Sequence, residues 1–254
     1  MNHVICLLPV IPVRAEAAHR SEQTTQMLFG DEAFVLEHRD EWSFIELSDD
    51  SYRGWVQTRQ LTVAGPRQET RSFVTRAPKL ISLLKNPQSA SFLVPAGCTL
   101  PVAENGYFLL GDTKFSEVKK AADTTDFHTE VAELAKSYLH VPYQWGGRTH
   151  FGIDCSGFAQ IVYKMLGKAL PRDAWQQAER GRVVDFLQEI QPGDLAFFDN
   201  EEGRITHVGI MLDPETIIHA SSSVRIERMD NQGIYADDLK AYSHKLRIVK
   251  RIHI

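Results

Sequence analysis

Cys155 stands in the run Asp154-Cys155-Ser156-Gly157-Phe158, and two histidines, His207 and His219, follow it later in the 254-residue chain. A thiol becomes a nucleophile when its proton can leave, and the unpaired N–H groups and dipole at a helix N-terminus favour the thiolate. The residues after Cys155 read as such a helix, so a lowered thiol pKa is expected, and the same N–H groups could hold an oxyanion. A nucleophile of this kind also needs a base and a group that orients the base. His207, in Ile205-Thr206-His207-Val208-Gly209-Ile210, opens one predicted strand, and His219, in Ile217-Ile218-His219-Ala220, closes the next. A turn at Asp213-Pro214-Glu215 makes these strands a hairpin and brings both imidazoles within reach of each other. With Asp154, the same residues could bind zinc, but the Cys-Ser-Gly-Phe setting lacks the close ligand pairs of structural zinc sites, and no metal or organic cofactor is expected.

The elements that must position these groups can be traced on either side of Cys155. Phe158, Ile161, Val162, Met165 and Leu166 recur at helical spacing and stop at Gly167, a residue suited to a left-handed cap. An earlier helix is predicted from Val131, Leu134, Ala135 and Tyr138. Strands follow at about 195–198, 208–212, 216–219, 224–226 and 246–249, so residues 124–254 form an α+β domain with an antiparallel sheet. The front of the chain, residues 1–65, holds short extended segments broken by turns and reads as a small β-barrel. Residues 66–123 have the same character and read as a second barrel, with the polar run Lys119–Thr125 as the boundary before the helices.

Composition narrows the function classes. The hydrophobic share of 43% and charged share of 24% are ordinary for a globular protein, and no stretch approaches the roughly 20 apolar residues of a membrane span. A net charge of -5 offers no basic field for a phosphate backbone, so neither nucleic acid nor membrane is an expected partner. The apolar run Val4–Val10 has no cationic lead and is broken by Pro9, so it reads as a strand and not as a signal peptide. Cys6, Cys98 and Cys155 are odd in number and widely spaced, as suits reduced thiols, and a cytoplasmic monomer is expected.

The second half of the chain resembles the NlpC/P60 family of papain-like cysteine peptidases. The resemblance runs from about Phe127 to Ile254 and rests on Pro142-Tyr143-Gln144-Trp145-Gly146-Gly147, Asp154-Cys155-Ser156-Gly157, Leu170-Pro171-Arg172-Asp173, Gln191-Pro192-Gly193-Asp194-Leu195, His207-Val208-Gly209-Ile210 and Ile218-His219-Ala220. The front resembles a bacterial SH3 domain through Thr25-Gln26-Met27-Leu28-Phe29-Gly30-Asp31 and Tyr52-Arg53-Gly54-Trp55-Val56. Within the family the resemblance is to the dipeptidyl-peptidase VI type, in which SH3 modules precede the catalytic domain.

The resemblance implies roles. Cys155 attacks an amide carbon, His207 carries the proton, His219 orients His207, and the Tyr143 hydroxyl shares the oxyanion site with the Cys155 N–H. The implied substrate is a murein peptide, L-Ala-γ-D-Glu-diamino acid, cut after D-glutamate in wall recycling. Its free ammonium requires carboxylates in a closed pocket, because a buried unpaired charge is costly. Asp173 is the implied amine-binding acid, Tyr52 closes the pocket from the first barrel, Asp154 and Ser156 line the same subsite, and Glu22 is the acid chosen from the front module. Ala174 departs from the serine that related enzymes often carry there. Asp173 also suits a helix N-cap before Ala174-Trp175-Gln176-Gln177. Trp145 is read as packing behind the site, and His128, His140, His150, His244 and His253 as structural. Two rival readings are a wall-lytic endopeptidase outside the cell and a muropeptide-binding protein without activity.

Overall fold

Alternating burial makes the front of the chain a sheet. In β2 (Val10–Arg14) Ile11 and Val13 are buried between less buried neighbours, and in β4 (Glu32–Arg39) Ala33 and Val35 turn inward while Phe34 and Leu36 face out. With β1 (Asn2–Ile5), β3 (Gln23–Leu28), β5 (Trp42–Leu47), β6 (Arg53–Gln57) and β7 (Thr62–Val63) they form an antiparallel sheet in the order β3-β2-β6-β5-β4-β1-β7. Val4, Ile11, Met27, Val35, Ile45 and Val56 come from six of these strands and meet in one core, so the sheet is rolled around it. The strand expected at the apolar N-terminal run is β1, paired to β4 and β7.

The computed structural model describes residues 2–64, 72–84, 91–118 and 126–252, in two compact units, Met1–Asp123 and Thr124–Ile254. The expected boundary run Lys119–Thr125 and His253 lie outside the described residues. In the remainder of the first unit, β8 (Ser72–Val74), β9 (Lys79–Ile81), β10 (Phe92–Val94), β11 (Thr99–Pro101), β12 (Tyr107–Leu110) and β13 (Thr113–Ser116) pair as three two-stranded ladders. Phe92 and Phe115 set their rings edge-on to Phe29, at 5.6 and 5.0 Å, so these ladders share a core with the first barrel. An antiparallel bridge between Leu83 and Phe115, flanked by the Ser116 N–H to the Ser82 carbonyl at 2.9 Å and the Leu84 N–H to the Lys114 carbonyl at 3.0 Å, joins the chain after β9 to β13, so among the described residues two of the ladders are linked.

In the second unit, α1 (Phe127–Lys136) starts at Asp126, whose carboxylate accepts from the His128 and Thr129 N–H groups, and it buries Val131 and Ala135. The hairpin β14 (Arg148–Thr149) and β15 (Gly152–Ile153) leads into α2 (Cys155–Met165), every residue of which except Lys164 is buried. Gly167 follows with φ +74°, the expected cap. After the short α3 (Ala174–Ala178) and β16 (Arg182–Val183) come β17 (Leu195–Asp199), β18 (Ile205–Met211), β19 (Thr216–Ser221), β20 (Ser223–Met229), β21 (Gly233–Ala236) and β22 (Ala241–Arg251). These last six pair antiparallel in chain order, and β22 also pairs with β17, so the sheet closes into a six-stranded barrel. Ala196, Phe198, Met211, Ile217, Met229, Ile234 and Val249 form one core to which all six strands contribute.

Candidate active site

Cys155 is the first residue of α2, and Asp154 is its N-cap. The Asp154 carboxylate is fully engaged inside the protein. Its Oδ1 accepts from the Gly157 N–H at 2.7 Å and from the Ser156 hydroxyl at 3.4 Å; its Oδ2 accepts from the Gly146 N–H at 2.8 Å and from Arg172 Nη2 at 2.5 Å. Arg172, only 2% exposed, also donates to Ser156 Oγ at 2.8 Å. These bonds tie the Gly146 loop and Arg172 to the helix that begins with Cys155. Ser156 is buried in the same network. Gly157 is required at this junction, since a Cβ there would lie 2.4 Å from the Gly147 carbonyl oxygen.

The histidines come from the barrel. His219 on β19 sits opposite Gly209 on β18, and His207 lies two residues before Gly209 on the same face, so the imidazoles are diagonal neighbours across one ladder. A Cβ at Gly209 would come within 2.9 Å of the His219 Cβ, so glycine there lets the ring seat. His207 Nε2 and His219 Nδ1 are 2.8 Å apart, and His219 Nε2 is 2.7 Å from Glu227 Oε2 on β20. His219 is wholly buried and His207 nearly so. His244 on β22 stacks on His207 with ring centroids 4.0 Å apart. The Cys155 sulfur lies 4.0 Å from the Thr206 carbonyl oxygen, beside the backbone that flanks His207.

Burial pushes the Cys155 thiol up to about 12, and the Asp154 carboxylate adds to the rise; N–H groups of Val208 and Ser156 and the Arg172 cation pull the other way. The expected lowering at the helix start is overturned because the site is closed to water and the N-cap is itself an anion. His207 is held well below its ordinary value by burial, helped by His219 and His244. At neutral pH the pair therefore rests as thiol and neutral imidazole. Burial also raises the Tyr143 hydroxyl, with Cys155 and Asp154 contributing, which places that hydroxyl in the same electrostatic neighbourhood as the sulfur. The Tyr143 backbone is held by its N–H to the Ser222 carbonyl at 2.8 Å and by bridging to Ile153, just ahead of Asp154.

The sequence model of the NlpC/P60 family matches residues 140–243, and that of the bacterial dipeptidyl-peptidase Sh3 domain matches residues 13–61. The γ-D-glutamyl-L-lysine dipeptidyl-peptidase of Bacillus subtilis is 32% identical to this chain over 216 residues, 77% of this chain and 71% of that protein. The chain belongs to the NlpC/P60 family. Dipeptidyl-peptidase 6 of Lysinibacillus sphaericus is 27% identical, covering 94% of this chain and 96% of its own length. A crystal structure of an NlpC/P60 family protein from Bacillus cereus superposes with a TM-score of 0.82, covering 98% of this chain and 99% of that one at 21% identity, and so shares its fold.

Within this NlpC/P60 unit the structure brings together Cys155, His207, His219, Tyr143, Asp154 and Ser156. Asp173 occupies the N-cap position of α3, and its N–H donates to Gln176 Oε1 at 3.2 Å. Tyr52 and Glu22 belong to the first unit: Tyr52 packs against the barrel core, and Glu22 is exposed ahead of β3. Trp145 is 61% exposed, which corrects its reading as a residue packed behind the site. His244, read as structural, stacks on His207. Sequence reasoning also missed Arg172 and Glu227, whose partners are set by the fold and not by neighbouring residues. His207, His219 and His244 offer ring nitrogens within 4.8 Å of one another, a spacing that could hold a metal ion, but three of those nitrogens are spent on the bonds to one another and to Glu227.

Proposed function

We propose that this protein is a thiol peptidase that hydrolyses the γ-D-glutamyl–diamino acid bond of small murein peptides bearing a free N-terminal L-alanine. The observation that carries the reading is the His207–His219 hydrogen bond, 2.8 Å, on a strand whose backbone runs beside the Cys155 sulfur at the start of α2. The names of two relatives, both γ-D-glutamyl-L-lysine dipeptidyl-peptidases, support the bond chosen. In the first step the Cys155 proton passes to His207 as sulfur attacks the amide carbon, in a papain-like division of roles. The oxyanion is met by the Cys155 N–H and the Tyr143 hydroxyl. His207 then gives its proton to the departing amine, leaving a thioester. Water, deprotonated by His207, attacks that thioester and returns the thiol.

Asp173 is the proposed partner of the substrate ammonium. Tyr52 and Glu22 are carried in the proposal on the sequence resemblance alone. The proposal includes a cytoplasmic location and a role in recycling wall peptides, in keeping with three free cysteines. Incubating the full chain with L-Ala-γ-D-Glu-diaminopimelate, its lysine counterpart and the N-acetylated form of each, with products read by mass, tests the reading. Release of L-Ala-D-Glu from the free-amine peptides alone is expected. Equal cleavage of the acetylated forms would remove the ammonium requirement, and cleavage of none would leave a peptide-binding protein.

A further inference from the structure

Glu227 lies on a strand that carries no part of the catalytic motif, yet its carboxylate ends a line of hydrogen-bonded polar atoms that runs from His207 through His219. It is held ionised by the hydrogen bond from His219 and by Arg225, whose Nη1 is 3.5 Å from Oε1. An ionised carboxylate only accepts, so the His219 nitrogen 2.7 Å away, Nε2, carries a proton. A neutral His219 then presents Nδ1 as an acceptor. The atom facing it at 2.8 Å, His207 Nε2, must be the donor. One proton on Nε2 leaves His207 Nδ1 as the only basic atom of that ring.

We propose that Glu227 is a positioning residue that fixes the tautomers of His219 and, through it, of His207, so that Nδ1 of His207 is the base for the Cys155 thiol. The inference rests on the peptidase reading given above. Without Glu227, His219 could carry its proton on Nδ1, which would force His207 Nε2 to accept and leave Nδ1 protonated, with no lone pair for the thiol. The groups facing these atoms are His219 and Arg225 toward Glu227, and His219 and His244 toward His207.

The test uses the full chain with 15N-labelled histidine. In the native protein the ring signals of His219 and His207 should show the proton on Nε2 and a bare Nδ1 in each; finding His219 protonated on Nδ1 overturns the proposal. Glu227→Leu should move the His219 proton and lower kcat at least about tenfold, as wrong-tautomer variants of catalytic histidines do, with KM changed less than about twofold. Unchanged ring signals and an unchanged kcat in that variant overturn it. Glu227→Gln keeps the shape but lets an amide N–H face Nε2, so it too should move the His219 proton and lower kcat at least about tenfold; unchanged ring signals and kcat in that variant overturn the proposal. Should Glu227→Leu not fold, the native ring signals decide. Those signals need no turnover, so absence of cleavage by the native chain would sink the peptidase reading without touching the tautomer result.

Discussion

At Cys155 the balance between helix dipole and burial decides how the reaction begins. Dipole effects are worth about 0.3–1 kcal/mol at most exposed sites, whereas burial can shift a pKa by several units. Burial wins, so the sulfur keeps its proton until a base takes it. The proposed base is available over a wide range, because burial holds His207 well below 6.5. The active form is neutral imidazole, so activity is lost only when pH falls through the lowered value. The acid limb of kcat/KM is therefore expected below pH 6.5, and a limb at 6.5 or above in the measured profile would show a solvent-exposed base. Tyr143→Phe should lower kcat by about 10²-fold with little change in KM, the loss of one oxyanion donor, as steady-state kinetics would read. Cys155, His207 and His219 were legible because each sits in a local run of distinctive residues. Glu227 was not: Arg225-Ile226-Glu227-Arg228 reads as a solvated strand edge, and its task arises only from the register that sets it diagonal to His219.

The junction between the Gly146 loop and α2 shows what an element needs in order to aim one atom. Arg172 and Asp154, nearly excluded from water, are an ion pair whose value lies mostly in not being broken. Arg172→Met leaves Asp154 as a buried charge, and a loss of about 3–5 kcal/mol in urea unfolding is expected. The loss should be smaller in the double variant Arg172→Met with Asp154→Asn, which removes the orphaned charge. Sequence spacing placed Cys155 at the start of a helix, as α2 has it. It could not foretell that Asp154 ties down Gly146 and Arg172, because these reach it from two separate segments. The helix cap, the hairpin and the barrel strands follow from local periodicity and were legible. The closure of β22 onto β17, which sets Leu195 opposite Lys250, is a long-range pairing with no local sign.

Across the whole molecule, buried histidines set the response to acid. His150 and His244 are both lowered to about 4 by burial, and His207 is lowered further in the same direction. The unfolded chain takes these protons near 6.5, and the folded chain resists them. Protons therefore favour unfolding, so this contribution to stability is complete above about pH 6.5 and is lost as pH falls toward 4. The urea midpoint should be lower at pH 5 than at pH 7 and flat from 7 to 8; a midpoint that rises on acidification would contradict the burial of these rings. The first barrel was legible from short strands broken by turns, whereas the ladders after Thr70 lean on Phe29, a contact no local pattern announces. The protonated resting state of the sulfur has one more consequence. Peroxides attack thiolates, and Cys6 is likewise held up to about 12 while Cys98 is sealed in the core. With no ready thiolate, the idle protein is a poor target for oxidants, and its vulnerable moment is confined to the encounter with substrate.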